Sequence, residues 1–279
     1  MRGLRALVAV LACVGPAGAA ATPACAPDAV PVGPTCVDKY EASVWAVPSG
    51  DAGLLAKVRA GTVTLAELRA GGAMQRGEIP RTGCSGDEYG REFPANGSWK
   101  APHYAVSVAG VRPSTCLTWF QAEQACRLAG KRLLTNAEWQ AAAAGTPDPG
   151  GDDDLAKTCA VKSTFAVATG ARAACRSVWG AHDMAGNVWE WVADWISPAS
   201  GCTTWDGEHG RDMSCMGGGG SRPGADPATC ELVEFDPSLP GAIIRGGNFA
   251  VGERNGIFAI YGAVNPTNVS RSTGFRCGR

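Results

Sequence analysis

Hydrophobic and polar residues alternate with the period of a β-strand along one segment near the start of the chain. This segment, CVDKYEASVWAV (Cys36–Val47), is predicted to be a strand. Its inward positions would be Val37, Tyr40, Ala42, Val44 and Val47. A strand and a turn are predicted over His103–Cys116, and a short helix around Leu54–Ala70.

Two further helices are predicted from capping signatures. Thr118 is followed three residues later by Gln121, and Thr135 in the same way by Glu138, which is the spacing of a capping box. The first helix would end at Gly130 and the second would run to about Ala144 and close at Gly145. The buried face of the first helix is predicted to hold Trp119, Ala122, Cys126 and Ala129.

The rest of the pattern predicts loops and little regular structure. Insertions are expected at about 48–103 and 197–240, and a turn-rich loop after Gly145 should be pinned by Cys159 and Cys175. The acidic run Asp152–Asp154 in that loop is typical of a solvated surface and lacks EF-hand spacing. No repeat or linker divides the chain, so we predict one irregular α+β domain over 36–279.

The first 21 residues have the layout of a secretory signal peptide. Two arginines precede a short apolar run and a group of small residues. The alternative, a lipid anchor at Cys13, is disfavoured because the apolar run before Cys13 is very short. An Ala/Pro-rich leader is predicted over 22–35, and the mature protein should be secreted, periplasmic or on the cell surface.

Composition narrows the class of protein. The chain has 38 Gly and 18 Pro, which indicates many turns rather than a helical bundle. A net charge of −1 gives no reason to expect nucleic acid as a partner. No segment is long and apolar enough to predict a membrane span.

Twelve cysteines in an exported chain predict disulfide bonds. Removal of Cys13 with the signal would leave an odd number, so at least one thiol would be free or paired outside the chain. None of the cysteines forms a CxxC pair, which argues against a structural zinc site. The alternative to structural disulfide bonds is a reactive thiol, and that interpretation would need the support of a sequence motif.

Three stretches in a fixed order carry a resemblance to a known superfamily. They are STCLTWFQAEQACRLAGKRLLTNAEWQAAAAG, DMAGNVWEWVADW and RGGNF followed at a distance by GFRC. Together they resemble the formylglycine-generating enzyme (sulfatase-modifying factor) superfamily over roughly residues 33–279. The resemblance implies a C-type-lectin-like fold with two main helices and small twisted antiparallel sheets.

The resemblance also implies a disulfide and a metal site. The family's bond between the first helix and the last strand maps onto Cys126 and Cys277. A structural calcium ion is implied in DMAGNVWE, where the ligands would be Asp183, Gly186, Val188 and Glu190; hard oxygen ligands suit this ion. Without a metal, Asp183 and Glu190 would instead accept hydrogen bonds from backbone N–H groups in a tight loop.

The catalytic centres of the superfamily do not carry over to this chain. Formylglycine-generating enzymes oxidise a cysteine of a target protein with copper(I) held by two thiolates, and soft thiolates suit this ion. The two matching positions here are Val251 and Gly256, so no copper is expected. Another branch holds iron with three histidines, but His103, His182 and His209 are scattered, so no iron is expected either.

The end of the chain also resembles the variable region of diversity-generating-retroelement target proteins. The fixed elements there are RGG, an aromatic residue, a G-I-F-A step, P-T and GFR, which occur between Arg245 and Arg276. Loop residues on a rigid frame are free to serve as contacts. The ligand-binding residues implied are Asn248, Phe249, Val251, Glu253, Arg254, Asn255, Tyr261, Val264, Asn265, Asn268, Ser270 and Arg271.

The sequence therefore favours an exported ligand-binding protein over an enzyme. Its C-terminal segment (245–276) would present the binding surface to an extracellular protein or carbohydrate, and a retroelement could diversify it. The alternative is a metal-dependent oxidoreductase of the formylglycine-generating type with a non-standard active site. Five tryptophans (Trp119, Trp139, Trp189, Trp191 and Trp195) are expected in the core rather than as a ligand platform.

Overall fold

The computed structural model describes most of the chain after the predicted signal peptide. The described residues are 23–78, 83–85, 88–97, 102–148, 150, 158–196, 203–205, 207–215 and 240–279. The predicted signal peptide, the run Asp152–Asp154 and three cysteines (Cys13, Cys202 and Cys230) lie outside them.

Four short helices are found in the described residues, and two of them begin at the capping residues predicted from the sequence. They are α1 (Ala52–Ala60), α2 (Leu65–Ala70), α3 (Trp119–Leu128) and α4 (Asn136–Ala142). The capping boxes of α3 and α4 are both present, with Thr118 accepting from Gln121 N and Thr135 from Glu138 N. The single helix predicted around Leu54–Ala70 is wrong, because Gly61 adopts a left-handed conformation and ends α1.

Thirteen strands are found in the described residues, and most of them are short. They are β1 (Ala29–Val32), β2 (Thr35–Asp38), β3 (Ser43–Ala46), β4 (Met74–Arg76), β5 (His103–Val106), β6 (Arg132–Leu133), β7 (Trp189–Ile196), β8 (Thr203–Thr204), β9 (Met213–Cys215), β10 (Gly241–Arg245), β11 (Ile260–Val264), β12 (Thr273–Phe275) and β13 (Cys277–Gly278). With the four helices they make an α+β fold, as predicted.

The first sheet joins the two ends of the described chain. Its strand order is β1-β2-β13-β6, and Gly278 of β13 lies opposite Val37 of β2. Backbone hydrogen bonds between Cys36 and Arg279 extend this pairing, at 2.8 and 3.0 Å. Strand β1 lies inside the stretch 22–35, so the domain begins earlier than the predicted leader allowed.

The strand predicted over Cys36–Val47 is two strands in two different sheets. β2 belongs to the first sheet, whereas β3 is the centre of a three-stranded sheet of order β4-β3-β5. The inward pattern still holds, since Val37, Ala42, Val44 and Val47 are buried. Tyr40, between the two strands, is only half-buried.

The largest sheet has a core on each of its faces. Its order is β12-β7-β10-β11-β9-β8, and β7 lies next to its centre. Trp189 and Trp191 of β7 pack into one hydrophobic cluster with residues of α3 and β11, whereas Val192 packs into a second cluster with Trp139. Three of the predicted core tryptophans are therefore buried, while Trp119 is half-buried and Trp195 remains 40% exposed.

Four disulfide bonds join cysteines of the described residues. Cys126 of α3 is bonded to Cys277 of β13, as the family resemblance implied. Cys159 and Cys175 are bonded to each other and close the predicted loop. The remaining pairs are Cys25–Cys36 and Cys84–Cys116.

Helices long and apolar enough to cross a membrane are absent from the described residues.

Removal of the Cys126–Cys277 bond should destabilise the protein more than removal of the Cys25–Cys36 bond. The first closes a loop of 151 residues and the second a loop of 11. On loop-closure entropy the difference in the free energy of unfolding should be about 2 kcal/mol. We expect this ranking in urea denaturation of the two double Cys→Ala variants, and equal losses would contradict it.

Candidate functional site

Arg245 holds the start of the C-terminal segment in place. It ends β10 and is buried, with its guanidinium stacked over the Trp139 ring at 4.6 Å. Its Nη1 donates to the carbonyl of Ala259 at 2.7 Å, and its Nη2 donates to the side chain of Gln140 and to the carbonyl of Ile257. The Gly256–Ala259 step is therefore anchored by a side chain from the preceding strand.

The glycines after Arg245 allow the chain to turn within a crowded space. Gly247 has a φ of 86°, and a Cβ there would overlap with the side chain of Asn255. The Asn255 amide in turn donates to the carbonyls of Gly252 and Val161, at 2.9 and 3.3 Å. Asn255 is thus a buried brace of this turn rather than a displayed residue.

The two positions that match the copper-binding cysteines are closed by other groups. Val251 is buried in the hydrophobic cluster beneath the segment. At Gly256 a Cβ would overlap with the carboxylate of Asp212, which reaches in from the turn before β9. Neither position offers a thiol, and the second has no room for a side chain, so these residues do not fit copper(I).

Asp212 is a buried carboxylate without an ion-pair partner among the described residues. Its Oδ2 accepts from Phe258 N at 2.8 Å, while its Oδ1 has no hydrogen-bond partner in the described part of the chain. Burial, above all, raises the pKa of Asp212 to about 7, and the nearby carboxylate of Asp148 adds to the shift. The sequence contained no motif for this residue, because it lies in a Gly-rich stretch that comes near position 256 only in the folded chain.

The twelve residues predicted to bind ligand fall into two groups according to the exposure of their side chains. Glu253, Arg254, Asn265, Asn268 and Arg271 have exposed or half-exposed side chains. The other seven are buried, so they contribute to the frame and not to a surface. These are Asn248, Phe249, Val251, Asn255, Tyr261, Val264 and Ser270.

An ion pair at the centre of the molecule fixes the end of the segment. Arg276 Nη2 lies 2.8 Å from Glu190 Oε1, and both side chains are buried. Trp139 Nε1 donates to Glu190 Oε2 at 2.7 Å. The remaining donors of Arg276 reach the carbonyls of Asp38 and His182, at 2.9 and 2.6 Å.

Two more carboxylates lie near this ion pair. Glu41 accepts from the side chain of Asn187 at 2.5 Å and from Val188 N at 3.2 Å. Asp183 accepts from Gly170 N at 2.7 Å through Oδ2, and its Oδ1 has no hydrogen-bond partner within the described ranges. Burial raises the pKa of Glu41 well above its ordinary value and that of Asp183 to about 7.

The hydrogen bonds of Glu190 affect whether a calcium ion fits the predicted ligands, which are Asp183, Gly186, Val188 and Glu190. Both oxygens of Glu190 already accept hydrogen bonds from Arg276 or Trp139. The observed side chains do not fit the four-ligand set, because a calcium ion there would compete with the guanidinium. The calcium site stays a prediction.

The three histidines lie against different aromatic rings. His103 stacks on Phe93, His182 on Tyr40, and His209 lies beside Trp205 and Phe258. Within the described part of the chain, one grouping of three side chains has the spacing of metal ligands, namely Cys84, Glu88 and Cys116. Its two cysteines are bonded to each other, so they offer no thiolates.

Comparison with known proteins identifies relatives of this chain. A family model described as "Sulfatase-modifying factor enzyme 1-like domain" matches residues 94–279. The formylglycine-generating enzyme of Thermomonospora curvata is 36% identical over 120 residues, covering 36% of this chain and 40% of that protein. The formylglycine-generating enzyme of Streptomyces coelicolor is 32% identical over 131 residues, covering 36% of this chain and 38% of that protein.

The chain thus spans about 40% of the length of these two relatives. Among solved structures, the Major Tropism Determinant I1 Variant matches 88% of this chain and 50% of its own, at 18% identity and a TM-score of 0.44.

Replacing Arg276 by Met should strongly destabilise the protein. Glu190 would be left buried without its ion-pair partner, which costs about 3–5 kcal/mol in the free energy of unfolding. The double variant Glu190→Gln/Arg276→Met should recover part of that loss, because the unpaired charge is removed. Urea denaturation would measure this, and a single variant within about 1 kcal/mol of the parent would contradict the role of the pair.

Asp212 should make the protein less stable as pH rises. The unfolded carboxyl loses its proton near its ordinary pKa of 3.8, whereas the folded one keeps it up to a pKa of about 7. Between these values the folded state binds the extra proton, so its free energy of unfolding falls with increasing pH. In a buffer without divalent cations, the melting temperature of Asp212→Asn should therefore fall less steeply than the parent's between about pH 4 and pH 7. An unchanged slope would contradict the shift.

Proposed function

The chain belongs to the family of sulfatase-modifying factor enzyme 1-like domains, and from this premise we propose that it is an exported ligand-binding protein rather than an oxidase. Its binding surface would be formed by the exposed side chains between Arg245 and Arg276. The observation that carries the proposal is the carboxylate of Asp212, which occupies the space of a side chain at Gly256. Copper chemistry with two thiolates has no place at these positions.

The exposed side chains have the chemistry of an adaptable contact surface. They comprise two amides, Asn265 and Asn268, two guanidinium groups, Arg254 and Arg271, and the carboxylate of Glu253. Asn, Arg and other polar residues on loops adapt to different ligands when the frame behind them is rigid. Here the frame is supplied by the buried residues of the same segment.

Aromatic side chains next to the segment support the proposal. Trp119 N donates to the carbonyl of Pro266 at 3.0 Å, so the start of α3 lies against the 265–268 turn. The rings of Trp119, Phe120 and Trp195 contact one another with centroids 5.1–5.7 Å apart. Such amphipathic rings supply contact area at a small entropic cost, which suits either a protein or a carbohydrate ligand.

Export is supported by the disulfide bonds. Four bonds among the described cysteines favour an oxidising compartment. A secretory signal over residues 1–21, and diversification of the segment by a retroelement, remain parts of the proposal. Determination of the N-terminus of the mature protein tests the secretory signal. A reverse transcriptase gene beside a near-copy of the 3′ end of the coding sequence would support the second, and its absence would favour a fixed specificity.

The alternative function is a metal-dependent oxidoreductase with a non-standard active site. It is favoured by the sequence relation to formylglycine-generating enzymes. Purified protein loaded with copper(I) or iron(II) and incubated with cysteine-containing peptides separates the two functions. Turnover of the peptide thiol to an aldehyde would overturn the binding-only proposal.

The triple variant Arg254→Ala/Asn265→Ala/Asn268→Ala should lose ligand binding without loss of stability. These side chains are partly exposed and none belongs to a hydrophobic cluster, so the melting temperature should change by no more than about 2 °C. Ligands would first be found with glycan and extracellular-protein arrays, and binding of each hit would be measured by surface plasmon resonance.

The matched control for this test is Lys57→Ala/Arg69→Ala, which changes charges on α1 and α2, outside the proposed surface. Retained binding by the triple variant would contradict the proposed surface. A large fall in its melting temperature would instead assign these side chains to the frame.

A further inference from the structure

Two carboxylates from distant parts of the sequence meet at the turn before β9. A Cβ on Gly210 would overlap with Asp148 Oδ2 and would lie 2.9 Å from Asp212 Oδ1. The two oxygens therefore face the same small space beside Gly210. The Asp148 carboxylate also raises the pKa of Asp212, which is the electrostatic signature of this proximity.

The protein holds each carboxylate by one oxygen only. Asp148 Oδ1 accepts from Gly150 N at 2.9 Å, and Asp212 Oδ2 accepts from Phe258 N at 2.8 Å. These bonds orient the side chains and leave Asp148 Oδ2 and Asp212 Oδ1 directed at the shared space. Both carboxylates are thus positioned to bind a cation.

The state of Asp212 Oδ1 is independent evidence for a ligand in the space beside Gly210. Asp212 is completely buried, and this oxygen has no hydrogen-bond partner among the residues that the structure describes. Buried polar atoms in folded proteins nearly always have a partner, and an orphaned one points to water or an ion. Arg245, whose positive charge acts on Asp212, directs its Nη atoms to Gln140 and to the carbonyls of Ala259 and Ile257 instead.

We propose that Asp148 and Asp212 bind a hard divalent cation, of which calcium is the physiological candidate. Carboxylate oxygens suit such ions, and one ion bonded to each at roughly 2.3–2.6 Å would bridge the space beside Gly210. Asp148 is on the surface, so the other coordination positions are open to water. With two protein side chains as ligands, the dissociation constant belongs in the range of about 10⁻⁴–10⁻³ M that extracellular modules show.

The site has a structural consequence for the C-terminal segment. Asp212 Oδ2 receives the N–H of Phe258, next to the Gly256–Ala259 step that Arg245 also anchors. An ion held by Asp212 would therefore add to the support that Arg245 gives this step. The site is separate from the calcium ion predicted at Asp183, and it would stand whether or not the segment binds the proposed ligand.

The test uses the full mature protein after treatment with EDTA and removal of the chelator. Calcium binding is measured by isothermal titration calorimetry, and terbium(III) luminescence is excited through tryptophan. Trp205 lies beside the site, since its indole Nε1 donates to the carbonyl of Phe258 and its backbone N to that of Asp212. Trp205→Phe should therefore lower the terbium signal while leaving calcium affinity within about twofold.

Asp148→Asn is the decisive variant, because Asp148 is exposed and its loss leaves the core intact. We expect it to weaken calcium binding by roughly tenfold or more, and Asp212→Asn to do the same if that variant folds. Glu208→Gln removes an exposed carboxylate from the preceding turn, Gly207–His209, and keeps both proposed ligands, so its calcium affinity should match the parent's.

Two results would overturn the proposal. One is a parent protein that binds no calcium at millimolar concentration. The other is equal affinity in the parent and in Asp148→Asn, with the loss appearing instead in Asp183→Asn, which would place the ion at the site predicted from the family.

Discussion

The buried ion pair between Arg276 and Glu190 is the constraint on which the rest of the structure depends. A guanidinium and a carboxylate removed from water are tolerable only if almost every donor and acceptor finds a partner. Glu190 comes from β7, and its second contact, Trp139, comes from α4. Arg276 also binds carbonyls of Asp38 in β2 and of His182. One side chain near the C-terminus thereby fixes the relative positions of two sheets, a helix and a loop.

A second buried arginine at the other end of the segment completes the frame. Arg245 stacks on the same Trp139 whose indole binds Glu190. The segment between the two arginines can therefore be irregular and still have one conformation, since both of its ends are tied to one aromatic residue. The disulfide between Cys126 and Cys277 adds a covalent tie beside Arg276. Irregular backbone on such a frame is the arrangement in which surface residues can change without loss of the core.

Local signals in the sequence predicted the parts of the fold that depend on neighbouring residues. The capping boxes at Thr118 and Thr135 set the helix starts correctly, because the residues that satisfy the backbone lie within one turn. Alternation identified the buried side of Cys36–Val47 but not its division between two sheets, which depends on pairing with β13 and β5.

Family resemblance supplied the pair Cys126–Cys277, for which local pattern holds no information. It also marked twelve positions as a surface, of which seven are buried by contacts from distant segments. Asp212 was missed for the same physical reason. Its importance comes from a contact with Gly256, 44 positions along the chain, that exists only after folding.

At position 256 a carboxylate from a distant part of the chain fills the space where the family resemblance implies a thiol. A cysteine at 256 would need the space that Asp212 occupies, so the two alternatives exclude each other sterically. A thiolate pair binds soft, redox-active metals, whereas a buried carboxylate with a free oxygen favours protons or hard cations. In this chain the carboxylate of Asp212 fills that space and accepts a hydrogen bond from the backbone N–H of Phe258. A single side chain thus closes the position of the thiol and also fixes the turn around Gly256, to which Arg245 binds through the carbonyls of Ile257 and Ala259.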